Sequence, residues 1–225
     1  MKLLVLDTST QICAIALSED DQLVADCRLN LKNVHNEKLV GLIEQLTREV
    51  HWPIQEISAI GITRGPGSFT GLRIGVSAAK GLAFSLNIPL LSVYTLDVLA
   101  QQVSLWSGPV CVLIKAREHK AYAGFYHCES GRVRRNSDFQ LLDVTELPNL
   151  LKEKTLVVSN PANWFPVDVE KMVPASHEYS LPQPLVLAKL VYDKYQKEEF
   201  ENLDSFEPFY LLEFQPKKKA YYGIE

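Results

Sequence analysis

Long apolar runs and an excess of basic residues are both missing from this 225-residue chain. No run reaches the roughly 18 apolar residues that a membrane-spanning helix needs, and the first residues lack the apolar segment and cleavage site of a secretory signal peptide. We therefore expect a cytoplasmic protein. Lys and Arg number 23 against 27 Asp and Glu, and the net charge of -4 argues against binding nucleic acid by bulk electrostatics alone. Any RNA contact would be local or shared with another subunit.

Cysteine is scarce, and histidine is never grouped at metal-ligand spacing. The four cysteines are Cys13, Cys27, Cys111 and Cys128. They form no CxxC pair, which favours buried free thiols in a reducing compartment over zinc ligands or disulfides. His35 and Glu37 stand at the start of an expected helix, but a spacing of two residues places them on different sides of it. We predict no metal site.

What the chain does contain is typical of a globular α/β protein, with 47% hydrophobic and 22% charged residues. Periodicity predicts three strands, then helix, strand, helix, strand, helix, as in a sheet flanked by helices. The segment Ser107–Pro109 reads as a boundary, because strand patterns restart directly after it. We therefore predict a domain over residues 1–107 and a smaller one over 108–225.

The stretch from Thr63 to Lys80 is the most distinctive part of the sequence. It joins a short buried strand near 56–62 to a helix that carries several small residues on one stripe. Each interior glycine costs a helix roughly 1 kcal/mol relative to alanine, so something must pack close to this stripe. We hypothesise that Gly71, Gly75 and Ala78 form a partner surface together with the helix over 35–50.

Standard phosphate-binding motifs fail in this glycine-rich turn. A Walker A loop needs lysine and a hydroxyl residue where Leu72 and Arg73 follow Gly71, and the dinucleotide fingerprint has Thr70 in place of its third glycine. Ser68 lacks the flanking glycines of a nucleophile elbow. Asp7, at a strand end, could hold a metal or polarise a water, or it could cap its own turn.

Several segments together resemble one family. They are the opening MKLLVLDTST, His35-Asn36-Glu37, the loop GPGSFTGLRIG from Gly65 to Gly75, and Lys80-Gly81-Leu82-Ala83. These segments resemble TsaB, also called YeaZ, over most of residues 1–100. The second half departs from the family pattern, with Lys115-Ala116-Arg117 where Asp-Ala-Arg is usual and Tyr210-Leu211-Leu212 where Tyr-Leu-Arg is usual.

The resemblance implies an α/β fold of the actin-like ATPase superfamily, with two ribonuclease-H-like domains of mixed sheets flanked by helices. It implies a noncatalytic subunit that pairs with TsaD and is joined by TsaE. The complex transfers threonylcarbamoyl to N6 of the adenosine 3′ of the anticodon in tRNAs that read codons beginning with A. The isolated chain is expected to bind no cofactor, with ATP or ADP bound only in the complex with TsaD and TsaE. tRNA is expected to be contacted indirectly, through the complex. The same helices could also support a homodimer when TsaD is missing, because a contiguous apolar patch seldom remains exposed.

The resemblance and the residue patterns together give a set of candidate residues. The predicted partner interface comprises His35, Glu37, Leu39, Leu42, Gly71, Arg73, Gly75, Ala78, Ala79 and Leu82. The predicted structural loop comprises Gly65, Pro66, Gly67, Ser68, Phe69 and Thr70, and Asp7 is a candidate vestigial phosphate site. No catalytic residue is assigned.

Two other functions remain open from the sequence. One is a stand-alone enzyme, either an ATPase or kinase-like protein or a protease, that uses Asp7 and the loop from Gly65 to Gly71. The other is direct contact with tRNA, through the arginines of the 131–136 segment and the lysines of the tail. The residues for this contact would be Arg132, Arg134, Arg135, Lys217, Lys218 and Lys219.

Overall fold

The computed structural model describes residues 1–30, 34–162, 164 and 170–211, with the backbone alone described for residues 34–36. Its strands are β1 (Lys2–Asp7), β2 (Cys13–Glu19), β3 (Gln22–Leu29), β4 (Ala59–Thr63), β5 (Leu90–Val93), β6 (Gly108–Arg117), β7 (Lys120–Glu129), β8 (Arg132–Arg135), β9 (Gln140–Asp143), β10 (Thr155–Asn160) and β11 (Met172–Pro174). Its helices are α1 (Val34–Glu49), α2 (Phe69–Leu86), α3 (Thr95–Gln101), α4 (Leu147–Leu150) and α5 (Pro184–Gln196).

The first sheet has the strand order β3-β2-β1-β4-β5. Strands β1, β2 and β3 form an antiparallel meander, while β4 and β5 run parallel to β1. Because side chains alternate along a strand, Leu4 and Leu6 of β1 pack with α1 and α2, and Leu3 and Val5 pack with α5 on the other face. The central strand is therefore covered on both sides, as its nearly continuous apolar sequence predicts.

The second sheet repeats this plan, with the order β11-β10-β6-β7-β8 and β9 paired to β7. Here β6 takes the central place: it pairs antiparallel with β7, and β10 and β11 run parallel to it. Two related ribonuclease-H-like units would each give a sheet with this strand order and these strand directions. The predicted fold class, an α/β protein with two mixed sheets flanked by helices, is confirmed.

Two helices connect the halves. Helix α3 supplies Leu96 and Leu99 to the core of the second sheet and Val98 to the core of the first. Helix α5 follows the second sheet in the chain, yet it packs Leu187 and Val191 on the first sheet. The division at residue 107 stays a prediction, but the chain beyond residue 183 returns to the first sheet.

Local differences from the sequence-based expectation have simple causes. The sequence pattern predicts a helix from Thr95 to about Trp106, but helix α3 ends at Gln101 and the chain continues as turns. Proline and polar residues predict loops over residues 160–183, but this stretch contains β11, a three-residue edge strand too short to show alternation. For residues 206–212 the sequence allows a closing strand or an extended arm, and residues 206–211 form the arm.

The four cysteines are free, as expected, and three of them are buried. Burial, together with the charge of the nearby Asp7 carboxylate, raises the pKa of Cys13 to about 11. Burial also raises the pKa of Cys111 and Cys128. These thiols are therefore protonated core groups at neutral pH. Within the described part of the chain, no helix is both long enough and apolar enough to cross a membrane.

Candidate functional site

Asp7 ends β1 and closes the turn that follows it. The backbone N–H of Ser9 (3.0 Å) and the Ser9 hydroxyl (2.6 Å) both donate to Asp7 Oδ1, and the hydroxyl of Thr63, at the end of β4, donates to the same oxygen at 2.5 Å. Only 2% of Asp7 is exposed. This geometry is that of an aspartate that caps its own turn and ties β1 to β4. Its role as a vestigial phosphate site stays a prediction.

The loop from Gly65 to Thr70 launches α2 and holds it against the β1–β2 turn. Ser68 is the N-cap, and its hydroxyl accepts a hydrogen bond from Gly71 N at 3.2 Å. The backbone N–H of Ser68 donates to Ser9 O at 2.7 Å. Thr95 N at the start of α3 donates to Gly65 O at 2.9 Å. The loop therefore joins α2, α3 and the β1–β2 turn.

The glycines of α2 face the chain itself. A Cβ on Gly71 would lie 2.1 Å from Thr8 O, and a Cβ on Gly75 would lie 2.0 Å from Thr8 Oγ1. Gly67 in the loop is equally tight, with a Cβ position 2.0 Å from Ser9 O. Only glycine permits this approach, so the small residues dock α2 on the β1–β2 turn. The hypothesis that Gly71 and Gly75 belong to a partner surface is therefore wrong.

Other members of the predicted interface also lie inside the chain's own core. Leu39, Leu42 and Ala79 are buried between the helices and the first sheet, which corrects their assignment. Ala78 and Leu82 are half-buried and pack against the same core. Of the remaining predicted residues, Glu37 and Arg73 are exposed, and the side chain of His35 lies outside the described part of the chain.

A different side of the two helices is exposed. We call it the α1–α2 face, and its residues are Glu37, Val40, Gly41, Glu44, Arg73, Ser77, Gly81 and Phe84. Val40 is 63% exposed and Phe84 is 79% exposed. A Cβ on Gly41 or Gly81 would meet no atom within 4 Å. Sequence reasoning missed Val40, Gly41, Ser77 and Phe84, although the wheel of α2 places Phe84 and Gly81 opposite its large apolar stripe.

A C-terminal strap, which we define as residues 199–210, wraps around the first sheet and reaches α2. Glu201 N donates to Leu90 O at the sheet edge (2.8 Å), and Phe209 N donates to Arg64 O (2.7 Å). Lys80 of α2 donates through Nζ to Phe206 O at 3.0 Å. These contacts fix the strap along the helix.

Arg64 holds the middle of this strap. Its guanidinium lies 3.3 Å from Glu201 Oε1 and 3.4 Å from Ser92 Oγ, and it stacks over the rings of Tyr94 (5.4 Å) and Phe206 (5.1 Å). The Ser92 hydroxyl also donates to Glu201. Arginine packed between two rings and a half-buried carboxylate is a strong local tie.

A cleft of ≈ 430 Å³ lies between the two sheets. Its walls include the carboxyl ends of two parallel pairs of strands, one in each sheet. These are residues 9–11 after β1 and 67–69 after β4, and residues 114–116 in β6 and 160–161 at the end of β10. Lys115, a departure from the family pattern, is exposed there, with Nζ 5.1 Å from the Trp164 ring centroid. No group of three or more His, Cys, Asp or Glu that could hold a metal occurs among residues 1–30, 34–162, 164 and 170–211.

The arginines of the 131–136 segment divide into two kinds. Arg132 and Arg134 are exposed on β8. Arg135 stacks on Phe139 (4.4 Å) and Tyr94 (5.5 Å) and lies 3.9 Å from Asp97, so it serves as a structural tie. Burial raises the pKa of Asp97, while its hydrogen bond from Tyr126 and the charge of Arg135 oppose the rise. The candidate lysines 217–219 and Leu212 lie outside the described residues.

Comparison with known proteins finds relatives of this chain. Residues 30–163 match a family model described as TsaD: tRNA N6-adenosine threonylcarbamoyltransferase. The tRNA threonylcarbamoyladenosine biosynthesis protein TsaB of Bacillus subtilis is 33% identical over 154 residues, which cover 68% of this chain and 67% of that protein. The tRNA N6-adenosine threonylcarbamoyltransferase of Bacillus subtilis is 43% identical over 60 residues, but these cover only 17% of that protein.

A solved structure extends the similarity to the second half. It belongs to an uncharacterized Pseudomonas aeruginosa protein described as similar to peptidase YEAZ. It superposes with a TM-score of 0.77 at 26% identity, covering 94% of this chain and 99% of that one. Similarity to TsaB and YeaZ thus runs through the chain, whereas similarity to the transferase is local. The chain therefore belongs to the family that the matching model describes and, within it, to the TsaB (YeaZ) proteins of tRNA threonylcarbamoyladenosine biosynthesis.

Proposed function

We propose that the chain is a noncatalytic subunit that pairs with TsaD through the α1–α2 face and supports threonylcarbamoyl transfer to tRNA. One observation carries this proposal. Val40 and Phe84 are exposed on two adjacent helices, and an open glycine lies near each of them, Gly41 on α1 and Gly81 on α2. Large exposed apolar side chains on one surface are typical of a protein interaction site.

The open glycines suit a helix as the opposing element. Gly41 and Gly81 leave shallow positions on α1 and α2, so another helix can approach closely and place side chains between Val40 and Phe84. Burying an exposed aromatic side chain contributes about 1.5–3 kcal/mol, so Phe84 alone would tighten binding by roughly 10- to 100-fold. The same face could hold a second copy of the chain when TsaD is absent.

The noncatalytic part of the proposal is supported by Asp7 and the glycine loop. Asp7 Oδ1 accepts hydrogen bonds from Ser9 and Thr63, and the β1–β2 turn packs directly against Gly67 and Gly71 at their Cβ positions. A phosphate cradle needs open backbone N–H groups at this place. We further propose that the chain works in the cytoplasm, that TsaE joins the pair, and that ATP or ADP binds only in that complex. In this proposal tRNA is contacted through the complex, and the modified base is N6 of the adenosine 3′ of the anticodon in tRNAs reading codons that begin with A.

A pairing experiment tests the proposal. Phe84→Glu and Gly81→Trp should each raise the Kd for TsaD by about 100-fold or more and abolish co-purification, because a charge or a bulky ring enters the contact. Leu105→Glu is the matched control, since Leu105 is 96% exposed and lies away from the face. Unchanged pairing of both face variants would contradict the proposal.

Reconstitution tests the role in the reaction. TsaD and TsaE should modify tRNA when the wild-type chain is present, and modification should fall in step with pairing for the face variants. The stand-alone enzyme is the second outcome. ATP hydrolysis by the isolated chain that disappears in Asp7→Asn would favour it over the noncatalytic subunit.

A further inference from the structure

The first turns of α2 carry a small cluster of Phe69, Arg73 and Tyr210, which we call the Arg73 cluster. The Arg73 guanidinium lies 3.9 Å from the Phe69 ring centroid, and the rings of Phe69 and Tyr210 are 5.2 Å apart. Arg73 Nε donates to the Tyr210 hydroxyl at 3.3 Å. One face and one N–H of the guanidinium are therefore used within the chain.

The remaining N–H donors of Arg73 have no carboxylate partner among the described residues. Among the described residues no ion pair includes Arg73, and the side chain is exposed. Helix α2 from Phe69 to Leu86 contains no Asp or Glu, and its other cation, Lys80, bonds a backbone carbonyl. An arginine has five N–H donors in a planar fork, so most of its capacity is available to another molecule.

The position of Arg73 along α2 makes this end of the helix strongly positive. A helix N-terminus already carries about half a positive charge, and a cation near it is unfavourable for the helix itself. Arg73 follows the N-cap Ser68 by somewhat more than one turn, and its stacking on Phe69 offsets the small cost to the helix. The positive helix end adds to the attraction of Arg73 for an external anion.

The strap holds the cluster ready for such a contact. Phe209, next to Tyr210, is hydrogen-bonded to Arg64 O, and Phe206 O accepts from Lys80. Tyr210 is thereby fixed beside α2, and it fixes Arg73 in turn. A long side chain that is already ordered loses less conformational entropy when it binds.

We infer that Arg73, positioned by Phe69 and Tyr210, binds a carboxylate of the TsaD subunit at the edge of the α1–α2 face. This inference rests on the proposed function and names the chemistry of the contact. Arg73, Ser77 and Gly81 follow one another at four-residue spacing, so the guanidinium is continuous with the apolar part of the face. Planar guanidinium and carboxylate groups match in a bidentate pair, which lysine cannot form.

Titration of TsaD binding with charge variants tests the inference. Arg73→Glu should weaken binding by about 100-fold and Arg73→Lys by about 10-fold, since lysine keeps the charge but loses the fork. Tyr210→Phe, which removes only the hydroxyl, should weaken binding by about 3-fold. Lys152→Glu is the control, because Lys152 is an exposed cation of the second half without a described ion pair, and it should leave binding unchanged.

The salt dependence of TsaD binding gives a second readout, which would not change if Arg73 had only a structural role. Raising the ionic strength from about 0.05 M to about 0.5 M should weaken the wild-type pair more than the Arg73→Ala pair, because the charge contact is screened. Equal salt slopes, or full affinity of Arg73→Glu in a folded variant, would overturn the inference. Urea midpoints of each variant show whether it is folded.

The controls separate this inference from the proposed function. If the wild-type chain does not bind TsaD, the proposed function fails. If it binds, and Phe84→Glu weakens binding but Arg73→Glu does not, only the carboxylate contact fails. If Arg73→Glu breaks a homodimer of the isolated chain and leaves TsaD affinity unchanged, the carboxylate belongs to a second copy and the inference is overturned.

Discussion

The two sides of helix α2 use the same small residue for opposite purposes. On the inner side, Gly71 and Gly75 touch Thr8, and any side chain there would collide with the β1–β2 turn. On the outer side, Gly81 meets nothing within 4 Å and stands beside the exposed Phe84. The inner glycines serve folding and the outer one is free to serve binding. A stripe of small residues therefore indicates a close contact, but it does not show whether that contact is made within the chain or with another protein.

The largest expected effect is on the inner side. Gly75→Leu should lower the free energy of unfolding by about 3 kcal/mol or more, because the new side chain overlaps the Thr8 hydroxyl in a packed core. Urea denaturation of the isolated chain measures this. Gly81→Leu is the matched control on the outer side, and an equal loss in both variants would erase the difference between the two sides.

The next effect tests whether α1 shares the outer role. Gly41→Trp should leave the unfolding free energy within about 0.5 kcal/mol of wild type, since the site is open. It should nevertheless weaken pairing with TsaD by about 10-fold or more, because a ring fills the approach between the helices. Calorimetric titration of TsaD measures this, and tight binding by the variant would confine the docking role to α2.

A smaller effect concerns the start of α2, where the inner side is anchored. Ser68→Ala removes the N-cap bond to Gly71 N and should cost about 1 kcal/mol of stability. Ser68→Asp keeps a cap acceptor and should restore most of the loss. If both variants unfold at the same urea concentration as wild type, the cap contributes nothing to the anchoring of the helix.

The smallest effect has the opposite sign. Gly81→Ala should raise the free energy of unfolding by about 0.5–1 kcal/mol, because alanine favours the helix and the position has room. Thermal melts with Gly71→Ala as the comparison complete the series. A destabilised Gly81→Ala variant would mean that the outer side packs against something inside the chain after all.

Much of the fold followed from local pattern. Apolar runs and alternation predict strands over Lys2–Asp7 and Gln22–Leu29, and these are the bounds of β1 and β3. The restart after residue 107 coincides with β6, which takes the place in the second sheet that β1 has in the first. These features depend on apolar runs and turns within a few residues of one another. Local sequence carries that information directly.

The candidate site followed less well, for reasons of distance along the chain. Helix α2 has two plausible apolar stripes, and only the approach of Thr8 decides that the one with Gly71 and Gly75 is internal. The return of α5 and of Phe206 to the first sheet likewise joins residues more than a hundred positions apart. Such pairings leave no periodic signal in one sequence.

The strap has a consequence for the time at which the binding surface is complete. Lys80 bonds Phe206 O, and Arg73 bonds Tyr210, so the outer part of α2 is held by residues that the ribosome makes last among those described. Chain synthesis runs from the N-terminus, at roughly 5–20 residues per second. For several seconds the nascent chain has its helix but not the strap beside it, and the Arg73 cluster exists only after residue 210 has been added.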